Sequence, residues 1–239
     1  MNTSETLRKY IKGKAKWNVW ANGLLERKEK LKKAGNWKVT QIVDRNGRLV
    51  TVSADDAIPE VQEILDEAFV DFSNTQISNY TGEPGTGGHW DVHYFDFGGE
   101  FYEVTGIDYE NFSGFIFPGD VTFHNAVLKE TAEFEGASFH GLCDFTKAEF
   151  KYISKFDNAT FHEWANFKEV NFFQKVNFSE VAFKEGVNFA DAGFKKKVNF
   201  STTVFKNEAD FSSSKFEGDA EFFDTEFHWS AQFHNSIFQ

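Results

Sequence analysis

The most regular feature of this chain is a series of large apolar residues between Phe112 and Phe238. All are Phe except Leu128, and the gaps between them alternate between 5 and 6 residues, so the true repeat is 11 residues. A helix would spread these residues over two stripes, and the Gly, Asn, Ser, Thr and Val between them are poor helix formers. A single straight strand would send successive Phe residues to opposite faces. The chain is therefore predicted to turn a corner about every five residues.

A small or β-branched residue stands two positions before each large residue from Phe134 onward, as at Ala132, Cys143 and Val176. Residues two apart in a strand share a face, so each unit points both residues inward. Short units must stack on short units, which requires an even number of sides, and two sides leave no room for Phe. The pattern predicts a mainly β chain that forms a four-sided β-helix, with coils of about 22 residues whose strands stack about 4.8 Å apart.

Several stretches of the series resemble the pentapeptide-repeat family in its Phe-rich variant. They include Val198-Asn199-Phe200, Ala220-Glu221-Phe222 and "FSSSKFEGDAEF" from Phe211, while "FSGFIFPGDVTF" from Phe112 resembles the usual entry into such an array. The resemblance implies a right-handed, four-sided β-helix and a binding role without a catalytic site. Some members of the family are described as DNA mimics that bind type II topoisomerases. An acidic DNA mimic is therefore an alternative function.

Three regions are expected along the chain: a capping region over 1–69, an irregular start of the array with a Gly-rich insertion over 70–111, and the β-helix over 112–239. The capping region begins with a helix over 4–34, predicted from apolar residues near helical spacing. Asn46-Gly47 lies between two alternating segments and predicts a hairpin.

A second, short helix is predicted over 58–69, with Pro59 in its first turn. "VDFSNTQI" from Val70 already fits the repeat. The first helix is basic and carries Trp17 and Trp20, which is typical of membrane-surface or nucleic-acid binding. We favour the alternative that its Trp face packs on the open first coil, because the edge of a β-helix must be covered.

Charge is distributed unevenly within the net charge of −12. Residues 1–48 carry a net +9, residues 49–111 a net −14 and the repeats a net −7. Cys143 is the only cysteine, which excludes a disulfide within the chain and suits a reducing compartment. The N-terminus lacks the apolar core of a signal peptide, and no apolar run is long enough to span a bilayer. We therefore expect a cytoplasmic protein that contacts neither membrane nor nucleic acid directly.

Two groups of residues were weighed for chemistry. His89, Asp91 and His93 have the spacing of metal ligands on one strand, so an enzyme or metal protein centred on 79–111 is a further alternative. The Gly-rich loop there lacks a phosphate-binding signature. His140 and His162 begin a ladder of polar residues on one side of the β-helix, which is predicted to be convex and without a pocket. We expect no catalytic residue, no metal site and no cofactor.

The leading function is a non-enzymatic binding or scaffold protein that presents a rigid surface to a protein partner. One side carries acidic residues and no Lys or Arg, and a basic partner is expected there. Its acidic residues are Glu135, Asp157, Glu180, Asp224 and Glu226. The opposite side carries Lys129, Lys151, Lys195, Lys196 and Lys197. One acidic charge per ~5 Å is sparse beside one per ~1.7 Å of duplex DNA, which argues against close DNA mimicry.

The last coil is a second candidate interface. Phe233, Ile237 and Phe238 are expected beside unpaired strand edges, where repeat arrays usually carry a polar cap. Either the native chain continues beyond Gln239 or two copies join through these coils. We favour a homodimer, since a two-fold contact closes without forming fibres.

Overall fold

The computed structural model describes residues 3–10, 12–44, 48–73, 76–77, 92–97, 100–105 and 111–239. From Asn111 onward the chain winds as a β-helix with four parallel sheets around one core, as the period predicted. Residues 22 apart pair in register, for example Ser138 with Thr160 and Phe139 with Phe161. The chain is thus mainly β, and the predicted four-sided β-helix is confirmed.

Each coil contributes one two-residue strand to each of four faces, numbered 1 to 4 in chain order. Face 1 contains Val70–Asp71, Val121–Thr122, Cys143–Asp144, Ala165–Asn166, Val187–Asn188, Ala209–Asp210 and Ala231–Gln232. Face 2 contains Gln76–Ile77, Val127–Leu128, Glu149–Phe150, Asn171–Phe172, Gly193–Phe194, Lys215–Phe216 and Ile237–Phe238. Face 3 contains Ala132–Glu133, Ser154–Lys155, Val176–Asn177, Val198–Asn199 and Ala220–Glu221. Face 4 contains Ile116–Phe117, Ser138–Phe139, Thr160–Phe161, Ala182–Phe183, Val204–Phe205 and Glu226–Phe227.

The Phe side chains fill the core as stacked columns. Phe145, Phe167, Phe189 and Phe211 form one column with ring centroids 4.8, 4.8 and 5.0 Å apart, and none of these side chains reaches solvent. Rings of neighbouring columns meet edge to face, which is a favourable arrangement of aromatic quadrupoles. The stacked core makes the array a rigid rod.

The alternating gaps of 5 and 6 residues correspond to two kinds of corner. Corners in the 5-residue gaps are tight turns, as where the Ala126 amide donates to the Phe123 carbonyl at 2.9 Å. The third residue of such a turn has positive φ, for example 56° at Asn125 and 58° at Glu180. Corners in the 6-residue gaps have no positive-φ residue in the array, so the extra residue makes a wider bend. Equal gaps therefore stack on equal gaps because their corners have the same shape.

The capping region consists of α1 (Thr3–Tyr10), α2 (Lys14–Lys33), the antiparallel hairpin of β1 (Val39–Val43) and β2 (Leu49–Ser53), and α3 (Pro59–Ala68). The predicted first helix is two helices, because Gly13, at a φ of 83°, precedes α2. The predicted Asn46-Gly47 turn lies outside the described residues.

Helix α2 covers the N-terminal edge of face 4 with side chains. Trp17 is buried and its Nε1 donates to the carbonyl of Ile116 at 2.7 Å. Asn18 Oδ1 accepts from the Ile116 amide at 3.0 Å, and Asn18 Nδ2 donates to the Gly114 carbonyl at 2.8 Å. These bonds replace those of a preceding strand, so the Trp face packs on the first coil as we favoured.

The repeat frame begins before the predicted insertion. Val70–Asp71 pairs in parallel with Val121–Thr122, and Phe72 stacks on Phe123 with ring centroids 4.8 Å apart. Gln76–Ile77 joins face 2, followed by an antiparallel hairpin of Val92–Phe97 and Glu100–Thr105. The hypothesis of a metal site at His89, Asp91 and His93 rests on side chains outside those that the structure describes.

Candidate functional site

The corner between faces 3 and 4 carries the predicted acidic residues and is called here the acidic edge. It comprises positions 135–138 and their equivalents at each later coil through 223–226, which include no Lys or Arg. Glu135, Glu180, Asp224 and Glu226 are exposed, whereas Asp157 is half-buried. Because the residues sit on stacked corners, they form one line along the rod.

Two acidic-edge residues have partners within the chain. Asp157 Oδ1 accepts from Asn177 Nδ2 at 3.1 Å, on the next coil of face 3. Glu226 Oε2 lies 2.8 Å from His228 Nε2, and this hydrogen bond lowers the pKa of Glu226. Both carboxylates therefore favour the ionised form, and the edge keeps its negative charge at neutral pH.

The corner between faces 2 and 3 is basic and is called here the lysine edge. It comprises residues 129–131, 151–153, 173–175 and 195–197, which contain six Lys and one Glu. Lys151, Lys195 and Lys197 pair with Glu149, Glu217 and Glu221 respectively. Sequence reasoning had missed these pairs, although opposite charges 22 residues apart, as in Lys195 and Glu217, are a readable signal.

A cleft of about 380 Å³ lies between the capping region and the array, at the corner between faces 4 and 1. The sequence predicted no pocket on this side, and that prediction was wrong. The array is convex there, but α2, α3 and the hairpin lean against it and enclose space. Lys28, Trp37, Asp120, His140 and Glu163 are among the residues that line the cleft.

Asp120 is the centre of this junction. Its carboxylate accepts from the Thr51 amide at 2.7 Å, the Thr51 hydroxyl at 3.1 Å and the Leu142 amide at 2.9 Å. The single side chain thereby joins strand β2 of the cap to the second coil. Gly119 and Gly141 permit this approach, because a Cβ atom on Gly119 would collide with Ala68 and one on Gly141 with the backbone of Asp120.

Burial shifts the titration of every ionisable group in the cleft. It raises the pKa of Asp120 and of Glu163, and it lowers the pKa of Lys28. Burial and the neighbouring His162 lower the pKa of His140 to about 4. A general acid or base works best with a pKa near the ambient pH, so His140 is poorly suited to acid–base chemistry at neutral pH.

His140 belongs to a chain of hydrogen bonds along face 4. Lys184 Nζ lies 3.3 Å from His162 Nδ1, and the Ser138 hydroxyl lies 3.1 Å from His162 Nε2 and 3.0 Å from His140 Nε2. An ammonium group can only donate, so His162 carries its proton on Nε2 and donates to Ser138, which donates to His140. This order keeps both rings neutral, in agreement with their lowered pKa values.

The predicted interface at the last coil is exposed. The exposed fractions are 37% for Phe233, 45% for Ile237 and 56% for Phe238, while each equivalent large residue one coil earlier is buried. The strands Ala231–Gln232 and Ile237–Phe238 each pair with one neighbour only among the described residues. A contact between two copies through this coil stays a prediction.

A family model for pentapeptide repeats, with 9 copies, matches residues 112–152 and 156–204. This is a pentapeptide-repeat protein. The match covers the first four coils of the array and breaks at residues 153–155, which begin at the lysine edge. Searches of curated proteins and of solved structures found no match to the chain.

The described residues hold no group of three or more His, Cys, Asp or Glu side chains placed to bind a metal ion. Among the described helices, none combines the length and apolar character needed to cross a bilayer. The pentapeptide-repeat β-helix fits a scaffold or protein-binding role.

Proposed function

We propose that this pentapeptide-repeat protein is a non-enzymatic scaffold whose β-helix presents the acidic edge to a basic protein partner. The observation that supports this most directly is the single sign of that edge. Five acidic residues lie along five stacked corners without a Lys or Arg among them. Charges of one sign on a rigid support attract a basic surface and repel an acidic one, which gives specificity.

The core explains why the support is rigid. A partner that binds along several coils requires side chains held at fixed spacing, and stacked Phe columns with no exposed ring atoms supply that spacing. Binding to such a preformed surface avoids the cost of ordering it. The pairing of Asp157 with Asn177 likewise holds one carboxylate in place.

An acidic DNA mimic that binds a type II topoisomerase is the second candidate. The line of carboxylates favours it, but the lysine edge across face 3 would present positive charge to any surface wide enough to grip duplex DNA. The spacing of about one charge per 5 Å is also sparser than that of a duplex. Inhibition of a topoisomerase at stoichiometric levels, lost in Asp157→Lys, would replace the first proposal with this one.

The test of the first proposal is a comparative capture experiment with the immobilised full chain. Wild type is compared with Glu135→Lys/Glu180→Lys and with the matched control Glu169→Lys/Asp191→Lys, which makes the same charge change on the corner between faces 1 and 2. We expect a protein with a basic surface that wild type and control retain and the acidic-edge variant loses. Capture of the same proteins by all three would contradict the proposal.

A further inference from the structure

The lysine edge carries an apolar feature that stands out from the rest of the array. Across residues 112–222, the only exposed large hydrophobic residues are Tyr152 and Ile153, with exposed fractions of 55% and 43%. They are adjacent at one corner of the second coil. Scattered exposed apolar residues need no explanation, but two neighbours on an otherwise polar surface mark a contact site.

The surroundings of this apolar pair are positively charged. Lys175 and Lys196 are exposed on the next two coils and form no ion pair among the described residues. Lys151 places its Nζ 4.0 Å from the centroid of the Phe173 ring, a cation–π contact on the same edge. Apolar and cationic groups therefore alternate along this corner within about three coil spacings of ~4.8 Å each.

The family comparison sets the same place apart independently. The pentapeptide model matches up to residue 152 and resumes at residue 156, so Ile153 falls in the only break within residues 112–204. The backbone is undisturbed there, since Ser154–Lys155 pairs in register with strands on both sides. The departure thus lies in the outward side chains and not in the fold.

We infer that the lysine edge is a docking surface for an acidic polypeptide segment that carries aromatic or aliphatic side chains. Carboxylates of the segment pair with Lys175 and Lys196, and an apolar side chain covers Tyr152 and Ile153. This surface is distinct from the acidic edge, on which the proposed function rests, so the two stand or fall separately.

A polypeptide fits this surface better than a nucleic acid. Glu149, Glu217 and Glu221 flank the lysines and would oppose a continuous line of phosphates. A peptide can space its carboxylates to avoid them. Ile153 has no aromatic face on which a base could stack, and the net charge of −12 repels a polyanion.

The test uses the full chain and a fluorescent synthetic peptide of Asp and Glu with two Phe residues. Comparison probes are the same peptide with Ser in place of Phe, and an oligouridylate. We expect the Phe peptide to bind with a Kd of about 100 μM or tighter, and the Ser peptide to bind about fivefold more weakly.

Variants then locate the binding. We expect Lys175→Glu/Lys196→Glu to weaken the Phe peptide about tenfold and Tyr152→Ser about fivefold. The control pair Lys147→Glu/Lys168→Glu makes the same charge change on the corner between faces 1 and 2, and it should alter affinity by less than about twofold. Circular dichroism melts confirm that each variant is folded. Equal weakening by the control pair, tighter binding of oligouridylate, or no saturation by about 1 mM peptide would overturn the inference.

Discussion

The indole of Trp164 lies over the backbone of Gly186, its equivalent one coil later at the corner between faces 4 and 1. A Cβ atom on Gly186 would collide with the six-membered ring of Trp164. Leu142, one coil earlier, is 5% exposed, so little of this apolar pair reaches solvent. The small contact surface expected around Trp164 is therefore mostly packed within the array itself.

We predict that Gly186→Ala destabilises the array by about 1–3 kcal/mol, because the added methyl group forces the indole to move. In a Trp164→Ala background the same change should cost much less, since the space is then free. Urea unfolding of the four proteins gives the coupling energy as a double-mutant cycle. Additive effects would show that the two residues do not compete for space.

Replacement of Phe189 by Ala is expected to cost about 3–5 kcal/mol, because it leaves a cavity in the middle of a stacked column. The matched control is Phe223→Ala, whose side chain is 71% exposed and whose loss should change stability by less than about 1 kcal/mol. Denaturant unfolding followed by circular dichroism measures both. A similar cost at the two positions would contradict the buried column.

Asp120→Ala should loosen the cap without unfolding the array. It removes three hydrogen bonds and leaves the Thr51 and Leu142 amides without this acceptor. The expected cost to cap docking is about 1–3 kcal/mol. Hydrogen exchange should be faster at the Thr51 amide, while exchange in later coils is unchanged. Asp56→Ala, which removes an exposed partner of Lys38, is the control and should leave Thr51 protected.

His140 should make the junction sensitive to acid. Its pKa falls from 6.5 to about 4 on folding, so below pH 6.5 the unfolded chain takes up the proton first. The neutral ring is no disadvantage above that pH, and stability is lost as the pH falls towards about 4. Because the ring is partly exposed, the loss is about 1 kcal/mol. Asp120 and Glu163 oppose it, since their raised pKa values make the folded state bind protons more readily on acidification.

The difference between wild type and His140→Gln isolates this contribution. We expect the unfolding free energy of wild type to fall relative to the variant between about pH 6.5 and 4, and to run parallel above pH 7. Parallel curves over the whole range would show that the imidazole does not titrate as its surroundings require.

The last coil provides a separate test. If two copies join there, light scattering at micromolar concentration should give twice the mass of one chain, and Phe238→Asp should restore the monomer while the first coils stay folded. The added carboxylate would be buried in the contact, which is unfavourable without a partner. A stable wild-type monomer would contradict the predicted dimer.

The coil of the array could be read from the sequence because its causes are local and periodic. The large residues and the small residues two positions before them decide which side chains face inward. The alternation of 5 and 6 decides the number of sides, since tight corners such as that of Asn125 stack only on tight corners. Each coil repeats these constraints, so the columns through Phe189 follow without knowledge of any distant contact.

The junction cleft and the working surfaces were decided by tertiary structure. Lys28 and His140 lie 112 residues apart, and no period relates them. They meet because Gly119 and Gly141 let the cap approach the array, and the shifted pKa values follow from the water that this docking excludes. Likewise, the sequence showed lysines along one side, but only the stacked side chains show which of them have carboxylate partners and that Tyr152 remains open to solvent. Periodic packing is encoded in each repeat, whereas docking depends on the fit of two surfaces formed by distant parts of the chain.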